Sequence, residues 1–166
     1  AEVSDCRKTV EPVLVSDDSK EILFVDFSFT ERALGGSAFS QILNSLGKTA
    51  PTVASSEKFV QVFNTIQYLI EQQLILAGHD ISSGGVVTTL LEMCFSSNNL
   101  GMQVDLTGIG EADLVKVLFS ENPGVVIQCA DNEAVKKYLS EAGIDFVVLG
   151  TAIPKGKVQV KNFEME

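Results

Sequence analysis

The sequence predicts an α+β fold, a mixed β-sheet covered by helices, and three observations carry that reading. Strand-like and helix-like runs mingle along the chain, about seven of the first and about five of the second, with short turns between them. Some neighbouring strands are joined through a helix and others through a hairpin-length turn, which points to a mixed sheet and not a purely parallel doubly wound one. At 166 residues the chain has the size of one domain, able to remove about two thirds of its unfolded surface from water. Residues 1–11, polar and without apolar pattern, are expected to be a lead-in or linker, and 12–166 a single domain.

Taken in order, Pro12-Val13-Leu14-Val15 reads as an edge strand. The turn Ser16 to Lys20 joins it, as a β-hairpin or meander, to a central strand at Ile22 to Phe27, which is rich in β-branched and aromatic residues. Leu34-Gly35-Gly36-Ser37 then opens a helix whose Phe39, Ile42, Leu43 and Leu46 recur at helical spacing, with Ser37 as its N-cap and Gly47 as its stop. After Pro51, the helix bearing Phe59, Val62, Phe63, Ile66, Leu69 and Ile70 on one face is the clearest in the chain, and that face belongs to the core. Leu74 to Ala77 is a short strand, and Val86 to Phe95 a helix apolar nearly all round, hence buried. A turn at Ser96 to Asn99 precedes a half-exposed strand at Met102 to Leu106 and a short helix within Glu111 to Ser120. The turn Glu121-Asn122-Pro123-Gly124 leads to a buried strand at Val125 to Cys129, then to a helix capped by Asp131 or Asn132 and ended by Gly143. Strands at Phe146 to Ala152 and Val158 to Val160 close the pattern before a polar tail.

Composition excludes several classes of function. A net charge of −10 is the wrong sign for a general binder of nucleic acid or of an anionic membrane surface, so any phosphate recognition has to be local. No apolar run reaches the length of a membrane span, and the N-terminus lacks the order of a signal peptide. The start at Ala1 is compatible with excision from a longer protein or with removal of an initiator Met. Cys6, Cys94 and Cys129 are odd in number, far apart and without a CxxC pair, which argues for neither disulfides nor zinc and fits a reducing cytoplasm.

The stretch with chemical content is Gly78-His79-Asp80-Ile81-Ser82-Ser83-Gly84-Gly85, between the Leu74–Ala77 strand and the buried helix. A helix N-terminus offers unpaired N–H groups and a positive partial charge, and glycines such as Gly84 and Gly85 let a phosphate approach the backbone. Asp80 adds a carboxylate suited to the magnesium that accompanies a nucleotide, and Ser82 a hydroxyl suited to a phosphate oxygen. The plainer alternative is that Ser82 or Ser83 caps the helix and His79 is a satisfied histidine at a strand end. Spacing alone leaves both open.

Four stretches carry a resemblance: Leu34-Gly35-Gly36-Ser37-Ala38, Gly78 to Gly85 above, Leu91-Glu92-Met93-Cys94-Phe95, and Leu118-Phe119-Ser120-Glu121-Asn122-Pro123-Gly124-Val125. In these, from about Val10 to the final strands, the chain resembles the C-terminal type of subdomain in the aminoimidazole ribonucleotide (AIR) synthetase superfamily, most closely that of the purine-pathway amidotransferases. The resemblance implies an AIR-synthase C-terminal-domain-like fold and an ATP- and Mg2+-dependent ligase that converts the amide of formylglycinamide ribonucleotide to an amidine. ATP would phosphorylate the amide oxygen, and ammonia from glutamine would displace the phosphate. Asp80 matches the family's metal-ligand aspartate and Ser82 its nucleotide-contacting serine, with His79 and Ser83 supporting the loop. Ser83 is a departure, since the family often has Asp there, in the pattern HDxSDGG, and the family holds both catalytic and structural nucleotide sites. The partners implied are the missing synthetase and glutaminase domains of a longer parent, a nucleotide, and a like subdomain for pairing, so the segment alone is expected to be inactive. Two alternatives stand beside this: another superfamily member acting on AIR, selenophosphate or thiamine phosphate, and a non-catalytic dimerisation domain. The Glu121 to Gly124 segment and the long helix before His79 favour the amidotransferase.

Overall fold

The computed structural model describes residues 5–96 and 99–161, and the backbone of 163–165. Among these, the strands are β1 Glu21–Asp26, β2 Ile75–Asp80, β3 Gly101–Val104, β4 Gly124–Cys129, β5 Phe146–Ile153, β6 Val158–Val160 and β7 Phe163–Met165. The α-helices are α1 Ala38–Ile42, α2 Ser56–Glu71, α3 Gly85–Glu92, α4 Leu114–Phe119 and α5 Asn132–Glu141. One sheet runs β2-β4-β1-β5-β3-β6-β7. Its neighbours pair antiparallel except for β3 with β6, which are parallel, so the sheet is mixed as expected.

β1 sits inside this order, and its alternating side chains split the core in two. Ile22 and Phe24 point to a layer built with Val86, Val87 and Leu90 of α3 and Val117 and Leu118 of α4. Leu23 and Val25 point to a second layer built with Val62, Ile66 and Leu69 of α2 and Val135 and Leu139 of α5. Burial on both faces explains why β1 reads as an unbroken apolar run. The helices that cover the sheet begin as their sequences direct: Ser55 accepts from Lys58 N–H ahead of α2, Asp113 from the Val115 and Lys116 amides ahead of α4, and Asp131 from Ala134 N–H ahead of α5.

Several expectations need correction. The buried helix expected at Val86 to Phe95 ends at Glu92, leaving Phe95 exposed, and Phe63, on the α2 face assigned to the core, is also exposed. Residues 12–15 form no strand and no hairpin with β1, whose two edges are taken by β4 and β5. Instead Gln128 of β4, fully buried, turns its side-chain amide on Val15, accepting from Val15 N–H and donating to Val15 C=O, both at 2.8 Å. The segment thus crosses a face of the sheet and needs no ladder. The helix from Ser37 stops at Ile42, because Asn44 enters the left-handed region at φ 51°, and Ile42, Leu43 and Leu46 are left exposed. The polar tail contains β7, which pairs its backbone antiparallel with β6. The α3 helix is capped by neither serine: its N-cap is Gly84, in the left-handed conformation at φ 91°, with no side-chain cap. Within the Ser96–Asn99 turn, Ser97 and Asn98 lie outside the described residues.

Candidate functional site

The candidate site forms where β2 ends and α3 begins. β2 lies along β4, His79 opposite Val126 and Asp80 opposite Val125, and Ile81 N–H still donates to Gly124 C=O at 2.8 Å before the chain leaves the sheet. Ser82 and Ser83 are exposed on the turn, which Gly85 N–H closes by donating to Ser82 C=O at 3.0 Å. The buried Thr89 hydroxyl donates to Asp80 C=O at 3.1 Å, tying the strand end back to the first turns of α3.

Backbone contacts explain the second glycine. Gly85 has φ +74°, and a Cβ there would stand 2.6 Å from Leu118 C=O and 2.8 Å from the Phe119 backbone. Glycine at 85 therefore lets α3 start against the end of α4, with the positive φ as a further reason. At Gly84 the contact would be with the Thr88 side chain, its hydroxyl and its Cβ at 3.0 Å, and not with backbone.

Asp80 presents its carboxylate to solvent, at 78% exposure, while His79 beside it is 16% exposed. His79 Nδ1 lies 2.9 Å from Asp80 C=O and 3.4 Å from the Asp80 carboxylate, and Nε2 lies 3.0 Å from the Glu92 carboxylate at the last turn of α3. The histidine so spans strand and helix. His79 and Asp80 also border an open groove of about 680 Å³, lined by Phe59, Phe63 and Ile66 of α2 and by Gly78. Ser82, Gly84 and Gly85 do not line it.

A residue missed as functional holds the other side of the loop. Glu121, read from sequence only as part of a turn, accepts from Gly84 N–H and from Ala38 N–H through the same oxygen, each at 2.8 Å. The amides of Gly84 and Gly85 are therefore engaged within the chain, by Glu121 and the Ser82 carbonyl. Asn122, next along, is fully buried. Its carbonyl oxygen accepts from Ala33 N–H and the Ser120 hydroxyl, and its NH2 donates to the Ser28 and Thr30 hydroxyls and Glu31 C=O. Thus three motifs far apart in sequence meet at one junction. No local pattern reports such contacts, and the only signal was the presence of Glu121 and Asn122 in a stretch that carried the resemblance.

Among the described residues no group of three His, Cys, Asp or Glu side chains is gathered for a metal ion. Mg2+ commonly takes only one or two carboxylates and fills its octahedron with water and substrate phosphates, and the exposed Asp80 can be one such ligand.

The fold and the motif junction define a class, and comparison with known proteins agrees: residues 27–161 match the family described as AIR synthase related protein, C-terminal domain, and the chain belongs to that family. It is 38% identical over 149 residues to human phosphoribosylformylglycinamidine synthase, which covers 88% of this chain and 11% of that protein. Against the probable phosphoribosylformylglycinamidine synthase, chloroplastic/mitochondrial, of Arabidopsis thaliana it is 36% identical over 160 residues, 95% of this chain and again 11% of the relative. The chain thus spans about a ninth of the length of these curated relatives. Among solved structures, T. maritima PurL complexed with ATP superposes with a TM-score of 0.68 over 97% of this chain and 26% of that one, at 15% identity, a likeness of fold. Among the described residues no helix is long and apolar enough to cross a membrane.

Proposed function

We propose that this chain is a segment of a phosphoribosylformylglycinamidine synthase, the ATP- and glutamine-dependent ligase that turns the amide of formylglycinamide ribonucleotide into an amidine. The observation that carries this reading is identity of 36–38% to two such enzymes over nearly the whole chain. In this reading residues 12–166 are one folded unit, following a lead-in at 1–11, and the remaining synthetase and glutaminase domains come from the rest of a cytoplasmic parent. The segment alone is inactive. A like subdomain is its pairing partner.

The loop at 79–85 is this segment's contribution to a nucleotide–metal site. Asp80 holds Mg2+ through its exposed carboxylate, and the metal would neutralise phosphate charge. Ser82 offers its hydroxyl to the nucleotide from the exposed turn. Gly84 and Gly85 give the loop its close approach, bare of side chains, with their own amides committed to Glu121 and Ser82. His79, braced by Glu92, steadies Asp80, and Ser83 occupies the position where the family often carries Asp. Phosphoryl transfer depends on positioning and charge neutralisation, which is the chemistry such groups supply.

The test is genetic and biochemical. A gene encoding the full-length protein should rescue a purine auxotroph blocked at amidine formation, and its Asp80→Asn variant should not. Rescue of a strain blocked at ring closure instead would move the chain to another branch of the family. Full ATP-dependent turnover by residues 1–166 alone would overturn the segment reading.

A further inference from the structure

The junction at Glu121 assigns this residue a role that neither its turn position nor the loop chemistry supplies. Its Oε1 is shared by two backbone donors from glycine loops 46 residues apart in sequence, Ala38 N–H after Gly35-Gly36-Ser37 and Gly84 N–H after Ser82-Ser83, each at 2.8 Å. One carboxylate oxygen facing two helix starts makes charge-assisted bonds, stronger than neutral ones and short by preference. Two further contacts stiffen the same place. Phe39 of α1 stacks on Phe119 of α4 with ring centroids 4.6 Å apart, and Gly85 rests on the Leu118 and Phe119 backbone.

The Ser82 and Ser83 side chains are exposed, so what fixes Ser82 in space is the backbone on either side of it. On the strand side that anchor is Ile81 N–H on Gly124, and on the helix side it is Gly84 N–H on Glu121. We infer that Glu121 is a positioning residue: by holding Gly84 and Ala38 on one oxygen it locks the Ser82–Gly85 loop to the Gly35–Ser37 loop, and so sets the nucleotide geometry without touching the nucleotide. This rests on the nucleotide reading of the 79–85 loop proposed above. The arrangement has a second consequence. The Gly84 amide is already taken by a carboxylate, so phosphate meets the loop from the Asp80 and Ser82 side, where a Mg2+ held by Asp80 would offset the charge of both carboxylate and phosphate.

Fluorescence titration of the full-length enzyme with a fluorescent ATP analogue and Mg2+ tests this, using Glu121→Asp, Glu121→Gln and Ser82→Ala. Asp keeps the charge but is one methylene too short to reach both amides, while the Gln carbonyl oxygen can still accept from both. Expected are a rise in Kd of about tenfold for E121D and a value within about threefold of wild type for E121Q. In steady state, E121D should raise KM for ATP and leave KM for glutamine unchanged, whereas a merely structural lesion would lower the yield of active enzyme without moving KM. In this chain, NMR should show the Gly84 and Ala38 amide protons shifting together in E121D. If E121D binds the analogue as wild type does while S82A is weakened, the inference fails and the nucleotide reading stands. If E121D and S82A both bind as wild type, the nucleotide reading fails as well.

Discussion

Replacing Asn122 with Ala tests the junction behind the site. The side chain is fully buried and satisfies five groups: its oxygen accepts from Ala33 N–H and Ser120 Oγ–H, each at 3.1 Å, and its two amide hydrogens are shared among Ser28 Oγ, Thr30 Oγ1 and Glu31 C=O at 3.0–3.1 Å. Ser28 keeps a partner in Asp26, to which it donates at 2.8 Å. Ala33 N–H and the Ser120 hydroxyl are the donors orphaned in buried surroundings, at roughly 1–3 kcal/mol each. A water entering the space left by the side chain would recover part of this. The expected loss is therefore about 3 kcal/mol, read as a lowered urea midpoint with an unchanged m-value. Asn122→Asp sharpens the test. It preserves shape but turns a second oxygen toward three acceptors, so it should destabilise at neutral pH at least as much as Ala does. A loss below about 1 kcal/mol for both variants would mean that the five bonds contribute little net stability and that the hub reasoning is wrong.

Other outcomes follow from single sites. Gly85→Ala should destabilise more than Gly84→Ala in the same urea assay. Both bear the penalty of about 1–2 kcal/mol for a left-handed non-glycine residue, but only Gly85→Ala drives its Cβ into backbone, at Leu118 and Phe119. Burial pushes the Cys94 thiol up to about 11 and the Cys129 thiol up to about 12, while Cys6 is exposed. A thiol reagent at pH 8 should therefore label Cys6 promptly in the native chain and the other two only after unfolding. Asp105, bonded to Lys161 at 2.7 Å and to the Thr107 hydroxyl and amide, has its carboxyl held down to about 2. A carboxyl depressed below its ordinary 3.8 contributes stability above that pH and loses it as pH falls toward 2. NMR titration should place its midpoint near 2 in the native chain, and Lys161→Ala should move that midpoint upward.

What could be read from the sequence divides along the range of the interactions involved. α2 was plain because its apolar face repeats within the helix, and β1 and β4 because strands covered on both faces carry unbroken apolar runs, Ile22 to Val25 and Val125 to Ile127. Asp80, Ser82, Gly84 and Gly85 could be singled out because strand, glycines and helix adjoin in the chain. Residues 12–15 looked like a strand because Val-Leu-Val is apolar in any extended segment. What decides their pairing is Gln128, more than a hundred residues away, whose buried amide imitates a strand neighbour. The pattern from Phe39 to Leu46 likewise promised a core helix, yet the left-handed turn at Asn44 cuts it short, and helical spacing does not encode what surface it meets.

The same division separates the two halves of the candidate site. Its exposed half, Asp80 and Ser82, is written locally and can be read in one stretch. Its supporting half is not: Glu121 reaches Gly84 across 37 residues and Ala38 across 83, and Asn122 reaches Ser28 across 94. A carboxylate in a turn and an asparagine before a proline have many uses, and local composition ranks the turn first. Only the folded chain shows that both side chains face inward, one to join two glycine loops and the other to secure the segment that follows β1. The Glu–Asn pair thus gives physical content to motifs that the sequence presents as separate. Changes at 121 should be felt at Ser82 through the Gly84 amide, whereas changes at 122 should be felt first in stability.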